Sequence, residues 1–128
     1  MHENKTIHRD VKSDNVLFNY KGEVKLADFG ASISLTSQHS TTTDQVGTTL
    51  YMAPELCQGT PYSFPVDIWS FGILCVELAN LLRPHAEVRP YPETPKMILD
   101  LIKKKGVPQL THSRAWSKQF IAFVDRCL

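Results

Sequence analysis

Three stretches of this chain carry a hydrophobic pattern regular enough to predict helices, and one shorter stretch predicts a hairpin. From Val66 to Leu82 apolar residues fall on every side of a helical projection: Ile68, Trp69, Phe71, Ile73, Leu74, Val76, Leu78, Leu81 and Leu82. A helix that is hydrophobic all round is expected in the middle of a domain. Met97, Ile98, Leu101 and Ile102 recur at amphipathic spacing behind Thr94-Pro95, an N-cap followed by a first-turn proline. Gly106 closes that helix, and Lys103-Lys104-Lys105 read as a solvated helix end favoured by the dipole, not as a docking patch. A last helix over about residues 117–128 is expected to bury Phe120, Ile121, Val124 and Cys127.

The predicted hairpin runs through Val16-Leu17-Phe18, turns at Tyr20-Lys21-Gly22 and returns along Val24-Lys25-Leu26. It carries Asn15 at one end and Asp28 at the other, which brings two oxygen-bearing side chains together. Residues 31–46 are half Ser or Thr and lack apolar periodicity, so they read as a mobile loop. Prolines 84, 90, 92 and 95 mark an irregular connection. The expected architecture is mainly α with one small hairpin, without repeats.

Composition narrows the classes. At 128 residues, 42% of them hydrophobic, the chain is one domain at most. A formal net charge of +1 argues against electrostatic binding to nucleic acid or to a membrane surface. The longest apolar run is interrupted by Ser70, Glu77 and Asn80 and is shorter than the roughly 20 residues of a spanning helix, so membrane insertion is not expected. No apolar stretch lies near Met1, so no signal peptide is expected. Cys57, Cys75 and Cys127 are too few and too scattered for a disulfide framework or a zinc site. Free thiols in a reducing compartment are expected, with a cytoplasmic or nuclear location.

The chemistry concentrates near the start. His8-Arg9-Asp10-Val11-Lys12-Ser13-Asp14-Asn15 is followed thirteen residues after Asn15 by Asp28-Phe29-Gly30. An acid able to receive a hydroxyl proton, a lysine for phosphate charge and two oxygen ligands for magnesium thus occur in fixed order. Phosphoryl transfer asks a protein mostly for positioning and charge neutralisation, and this set supplies both. Two further strings, Gly47-Thr48 through Ala53-Pro54-Glu55 and Asp67-Ile68-Trp69-Ser70-Phe71-Gly72, make a chance match untenable.

Together these strings resemble the C-terminal lobe of a eukaryotic protein kinase over nearly the whole chain. The H-R-D-x-K-x-x-N form with Gly47-Thr48 is similar to Ser/Thr rather than Tyr kinases. The wording HRDVKSDNVL, VGTTLYMAPE and DIWSFGI resembles the PAK-like members of the sterile-twenty group. The resemblance implies that Asp10 accepts the substrate hydroxyl's proton and that Lys12 faces the transferring phosphoryl group. It implies that Asn15 and Asp28 hold Mg2+ between the phosphates of ATP, and that Leu17 floors the adenine pocket. Thr48 contacts Asp10 and Lys12 in this pattern, and Thr49-Leu50-Tyr51-Met52 form a platform for the residue after the acceptor. His8 packs next to Phe29, while Phe29 and Gly30 supply packing and a hinge. Glu55 is structural and pairs with an arginine further along the family pattern. Asp67 and Trp69 anchor the catalytic loop to the long helix. Implied partners are ATP and protein substrates with Ser or Thr acceptors.

The same resemblance assigns Arg9 to a phosphorylated residue in the loop before Gly47, where charge-assisted hydrogen bonds order the loop. The position phosphorylated in PAK-like relatives is Asp44 here, preceded by Thr41, Thr42 and Thr43. Either Asp44 supplies a permanent, weaker negative charge, or an upstream kinase modifies Thr43 or Thr42. The implied fold is the C-lobe part of an α+β kinase, a partial domain over residues 1–128 that lacks the N-lobe and the final helices. No Gly-rich loop, strand lysine or helix glutamate is present. Each such group is worth roughly 10²- to 10³-fold by analogy with oxyanion-hole donors, so the 128 residues alone are expected to be inactive. The helix from Val66 is then expected to expose an apolar patch. Two other readings stay open: a non-catalytic kinase-homology binding module, and a truncated gene product.

Overall fold

The computed structural model describes residues 1–128, the side chain of Ser113 excepted. Four α-helices carry it: α1 (Pro54–Gln58), α2 (Pro65–Asn80), α3 (Pro95–Lys105) and α4 (Lys118–Cys127). Five single-turn 3-10 helices and two antiparallel strand pairs complete the described elements. One joins β1 (Thr6–Ile7) to β4 (Ile33–Ser34), and the other joins β2 (Val16–Phe18) to β3 (Val24–Leu26).

Local chemistry explains the helix boundaries. The Thr94 hydroxyl accepts from the Met97 N–H at 3.3 Å, and Ser117 does the same for Phe120 at 3.1 Å, so each satisfies a donor the first turn leaves open. Pro65 opens α2 and Pro95 opens α3. Ile98 and Leu101 of α3 are buried against α1, and the lysines that end α3 are exposed.

The core gathers Ile7, Leu35, Met52, Leu56, Val66 and Ile98, with Trp69 packed at its edge. Helix α2 does not lie wholly inside it, contrary to the expectation from its all-round hydrophobicity. Val66, Ile73, Leu74 and Val76 are buried, whereas Ile68, Phe71 and Leu78 remain 45, 42 and 58% exposed. The expected apolar patch is therefore present. Helix α4 covers only one stripe of α2, crossing at Gly72, where a Cβ would stand 2.7 Å from that of Cys127. Of the α4 residues expected inside, Val124 is buried and Phe120, Ile121 and Cys127 are half-buried.

The stretch 31–46 is more structured than its composition suggests. Ile33 and Ser34 pair with Ile7 and Thr6, the Leu35 N–H donates to the Lys5 carbonyl at 2.8 Å, and Leu35 enters the core. The alternation Ser32-Ile33-Ser34-Leu35 does have the period of a strand, but over too few residues to stand out. Further on, Thr42 and Tyr62 exchange two backbone hydrogen bonds, of 3.1 and 2.9 Å.

The hairpin forms as the pattern predicts, with Val16, Leu17 and Phe18 opposite Leu26, Lys25 and Val24. The Asn19 carboxamide oxygen accepts from the N–H groups of Lys21 and Glu23 at 2.9 and 3.1 Å and shapes the turn. Cys57 is buried and Cys75 and Cys127 are half-buried, all free. Burial, with the Glu55 charge nearby, pushes the Cys57 thiol up to about 11, so it stays protonated near neutral pH. Among the described residues no helix is long and apolar enough to cross a membrane.

Candidate active site

The loop from His8 to Asn15 is held from below by one carboxylate of α2. Buried Asp67 accepts the Arg9 N–H on Oδ1 and the His8 N–H on Oδ2, both at 2.8 Å, and Oδ2 also bonds the His2 ring at 2.7 Å. Arg9 takes a left-handed φ of 69° at this point. His8 is fully buried: its Nε2 bonds the Ala27 carbonyl at 3.0 Å and its Nδ1 accepts the Asp10 N–H at 3.3 Å. With Nδ1 as acceptor, Nε2 is the nitrogen that donates to the Ala27 carbonyl. The Phe29 ring meets His8 edge-on at 4.9 Å. Replacing Asp67 with Ala leaves two loop N–H groups inside without acceptors, at about 1–3 kcal/mol each. An Asp67→Ala variant is expected to lose about 3 kcal/mol in denaturant unfolding, and a loss under about 1 kcal/mol would contradict this clamp role.

Asp10 stands above that clamp with four donors around it. Its Oδ1 accepts the Thr48 N–H at 2.8 Å and the Thr48 hydroxyl at 2.6 Å. Its Oδ2 pairs with Lys12 Nζ at 2.9 Å and accepts from the Asn15 amide at 3.1 Å. Lys12 also donates to Thr48 Oγ1 at 2.7 Å, and the Asn15 amide to the Asp10 carbonyl at 2.8 Å. Burial by itself would raise the Asp10 carboxyl, but the Thr48 hydroxyl, Lys12 and the Thr48 amide outweigh it and hold it below its ordinary 3.8. A depressed folded-state value means the ionised form is favoured, so its stabilising contribution is present above the unfolded value and fades as pH falls through the folded one. The pH–rate profile of the intact protein should therefore show no acid limb from Asp10 above about pH 4. An acid limb near neutral pH that Thr48→Val displaces would contradict this.

Gly47 gives Thr48 its position. Its φ is 108°, and a Cβ there would lie 2.2 Å from the Arg9 carbonyl oxygen. Below Thr48, the buried Tyr51 donates its hydroxyl to Glu77 at 2.7 Å, with Ser13 Oγ 3.4 Å away. Burial, together with Glu77, pushes the Tyr51 phenol well above its ordinary value and keeps it a donor.

The hairpin brings Asn15 and Asp28 to one end, where the Ala27 N–H donates to the Asn15 carbonyl at 2.8 Å. Asp28 is exposed, in a left-handed conformation at φ 59°, and one oxygen accepts the Gly30 N–H at 3.1 Å. The buried Asn15 commits its amide nitrogen to Asp10, so its carboxamide oxygen is not engaged by that contact. One amide and one carboxylate oxygen suit magnesium, which keeps waters and phosphate oxygens as its other ligands. Among the described residues no group of three or more His, Cys, Asp or Glu has metal-holding geometry. Leu17, on β2, is 56% exposed.

Arg9 reaches the opposite way. Its Nε donates to the Ala31 carbonyl at 2.6 Å, and Nη1 to Asp44 Oδ2 at 3.2 Å and to the Tyr62 hydroxyl at 3.3 Å. Thr42 is half-buried in its bridge to Tyr62, whereas Thr43 is exposed. The Glu55 carboxylate is half-buried and in no ion pair among the described residues. Sequence reasoning missed Tyr62 and the Tyr51–Glu77 bond. Pro61-Tyr62-Ser63 carries no motif, and Glu77 is an isolated charge in an apolar run.

The family description "Protein kinase domain" matches residues 1–128. Serine/threonine-protein kinase pakC of Dictyostelium discoideum is 43% identical over the whole chain, which spans 26% of that protein. Serine/threonine-protein kinase dst1 of the same organism is 41% identical, with 17% of its length spanned. Serine/threonine-protein kinase SKM1 of Saccharomyces cerevisiae is also 41% identical, with 19% spanned. The chain thus covers about a quarter or less of the curated relatives named here, and all of it aligns with them. With a kinase-domain match from end to end around a cluster of Asp10, Lys12, Asn15 and Thr48, and with Ser/Thr kinases of the PAK type among the proteins it is similar to, the chain belongs to the protein kinase family.

Proposed function

We propose that this chain is the C-lobe part of a Ser/Thr protein kinase that transfers the γ-phosphoryl of ATP to Ser or Thr hydroxyls of protein substrates. The observation that carries the reading is the Asp10 carboxylate, held ionised among Thr48, Lys12 and Asn15. Thr48 fixes Oδ1 with two short bonds, so Oδ2 is the oxygen whose partners can change. When nucleotide is in place, the Lys12 ammonium turns from Oδ2 to the phosphoryl oxygens and offsets their charge. That movement frees a lone pair on Oδ2 for the proton of the acceptor hydroxyl. The hydroxyl oxygen forms its bond to the γ-phosphorus as the bond to the ADP oxygen breaks. Asn15 and Asp28 would hold Mg2+, which supplies charge neutralisation at the phosphates. Leu17, exposed on the hairpin beside them, offers an apolar surface for adenine.

In this proposal residues 1–128 are a partial kinase domain, and the Gly-rich loop, strand lysine and hinge are contributed from outside them. Expressed alone, the 128 residues should transfer phosphate negligibly. The long helix carries the loop through Asp67, while Trp69 and Glu55 brace its surroundings. A cytoplasmic or nuclear location follows from the free thiols under the same proposal. The test uses the full-length natural protein with labelled ATP, Mg2+ and three peptides that differ only in carrying Ser, Thr or Tyr. Label on Ser or Thr is expected; label on Tyr alone, or on none, would overturn the reading.

A further inference from the structure

We propose that Tyr62 is a positioning residue which, with Arg9 and Asp44, clasps the Thr42–Thr48 segment over the catalytic loop without any phosphate. The inference rests on the kinase reading of the Asp10 cluster and deepens it to how that cluster is regulated. Tyr62 is 3% exposed, and its hydroxyl donates to the Asp44 carbonyl at 2.6 Å while accepting from Arg9 Nη1 at 3.3 Å. Its backbone exchanges two hydrogen bonds with Thr42. One tyrosine thus fixes the segment at two points two residues apart. The Arg9 guanidinium is held through Nε by the Ala31 carbonyl, so Nη1 is already aimed when Asp44 arrives. Four residues after Asp44, Thr48 carries the two donors that fix Asp10.

The side chains divide the work by burial. The Arg9 side chain is 8% exposed and that of Asp44 59%. An ion pair with one partner in solvent is weak and screened by salt, so by itself it would order the segment poorly. The Tyr62 hydroxyl is part-buried in both of its contacts and links the same two residues through bonds that salt does not screen. The carboxylate gives Arg9 a charged partner, and the tyrosine holds the pair in register. A phosphate on Thr41, Thr42 or Thr43 is then unnecessary for the ordered state.

The test measures amide hydrogen exchange and phosphotransfer in the full-length protein, treated with phosphatase and shown by mass spectrometry to be free of phosphate. In the wild type the amides of Thr42 and Thr48, bonded to Tyr62 and Asp10, are expected to stay protected. Tyr62→Phe keeps the ring and should speed their exchange about tenfold, and Asp44→Asn about fivefold. The double variant should show less than the product of the two, because both changes act on one clasp. Transfer activity should survive phosphatase in the wild type and fall in Tyr62→Phe. Unprotected amides in the phosphate-free wild type, or unchanged exchange in Tyr62→Phe, would overturn the clasp. Loss of transfer on phosphatase treatment would show that phosphate, not Asp44, does the ordering. A wild type that never transfers phosphate but shows the predicted exchange pattern would refute the kinase reading and leave the clasp standing.

Discussion

Gly47→Ala in the full-length protein is expected to lower kcat by about 10²-fold, the penalty for roughly an ångström of misplacement at a catalytic group. The cause is steric and lies in the backbone. The added Cβ would stand 2.2 Å from the Arg9 carbonyl oxygen and 3.3 Å from its carbon, neither of which is a flexible side-chain end. Arg9 in turn cannot retreat, since its N–H is fixed on Asp67 and its guanidinium on Ala31 and Asp44. The segment carrying Thr48 must move instead, which draws its two donors away from Asp10. A φ of 108° adds strain for any residue with a side chain. Gly22→Ala makes the comparison. Its φ of 77° is also left-handed, but nothing lies within 4 Å of the new Cβ, so about 1 kcal/mol of stability and no activity should be lost. Activity of Gly47→Ala within about threefold of wild type, measured as kcat on a Ser peptide, would contradict the close approach.

What was legible in the sequence was what depends on neighbours close along the chain. The Thr94 cap, the lysine-rich end of α3 and the hairpin around Gly22 need only a few residues each, and their chemistry is local. The Asp10–Lys12–Asn15 grouping is legible for the same reason, since one tight loop brings the three together. The hydrophobic run of α2 misled on location. Hydrophobicity reports a preference for leaving water, not whether a neighbour covers each face, and α4 covers only the stripe at Gly72. The β1–β4 pair was missed because two residues carry too little alternation. Tyr62 was missed because its hydroxyl partners lie 18 and 53 positions away, and no spacing rule reaches that far.

Asp10→Asn is the change expected to cost most, about 10³-fold in transfer, within the usual range for a general base. Asparagine keeps the shape and still accepts from the Thr48 N–H and hydroxyl, so the loop should hold. It cannot take the acceptor proton, and it no longer pairs with the Lys12 ammonium. Asn15 and Asp28, the residues proposed to face the nucleotide's metal, do not depend on the Asp10 charge for their own oxygens. Binding and chemistry should therefore separate. The decisive measurement is single-turnover transfer to a Ser peptide beside the Mg-ATP dissociation constant, for full-length wild type and Asp10→Asn. Transfer lower by about 10³-fold with binding changed less than about twofold is the predicted result. Transfer within about tenfold of wild type would mean the proton goes elsewhere, and the role given to Asp10 would be wrong.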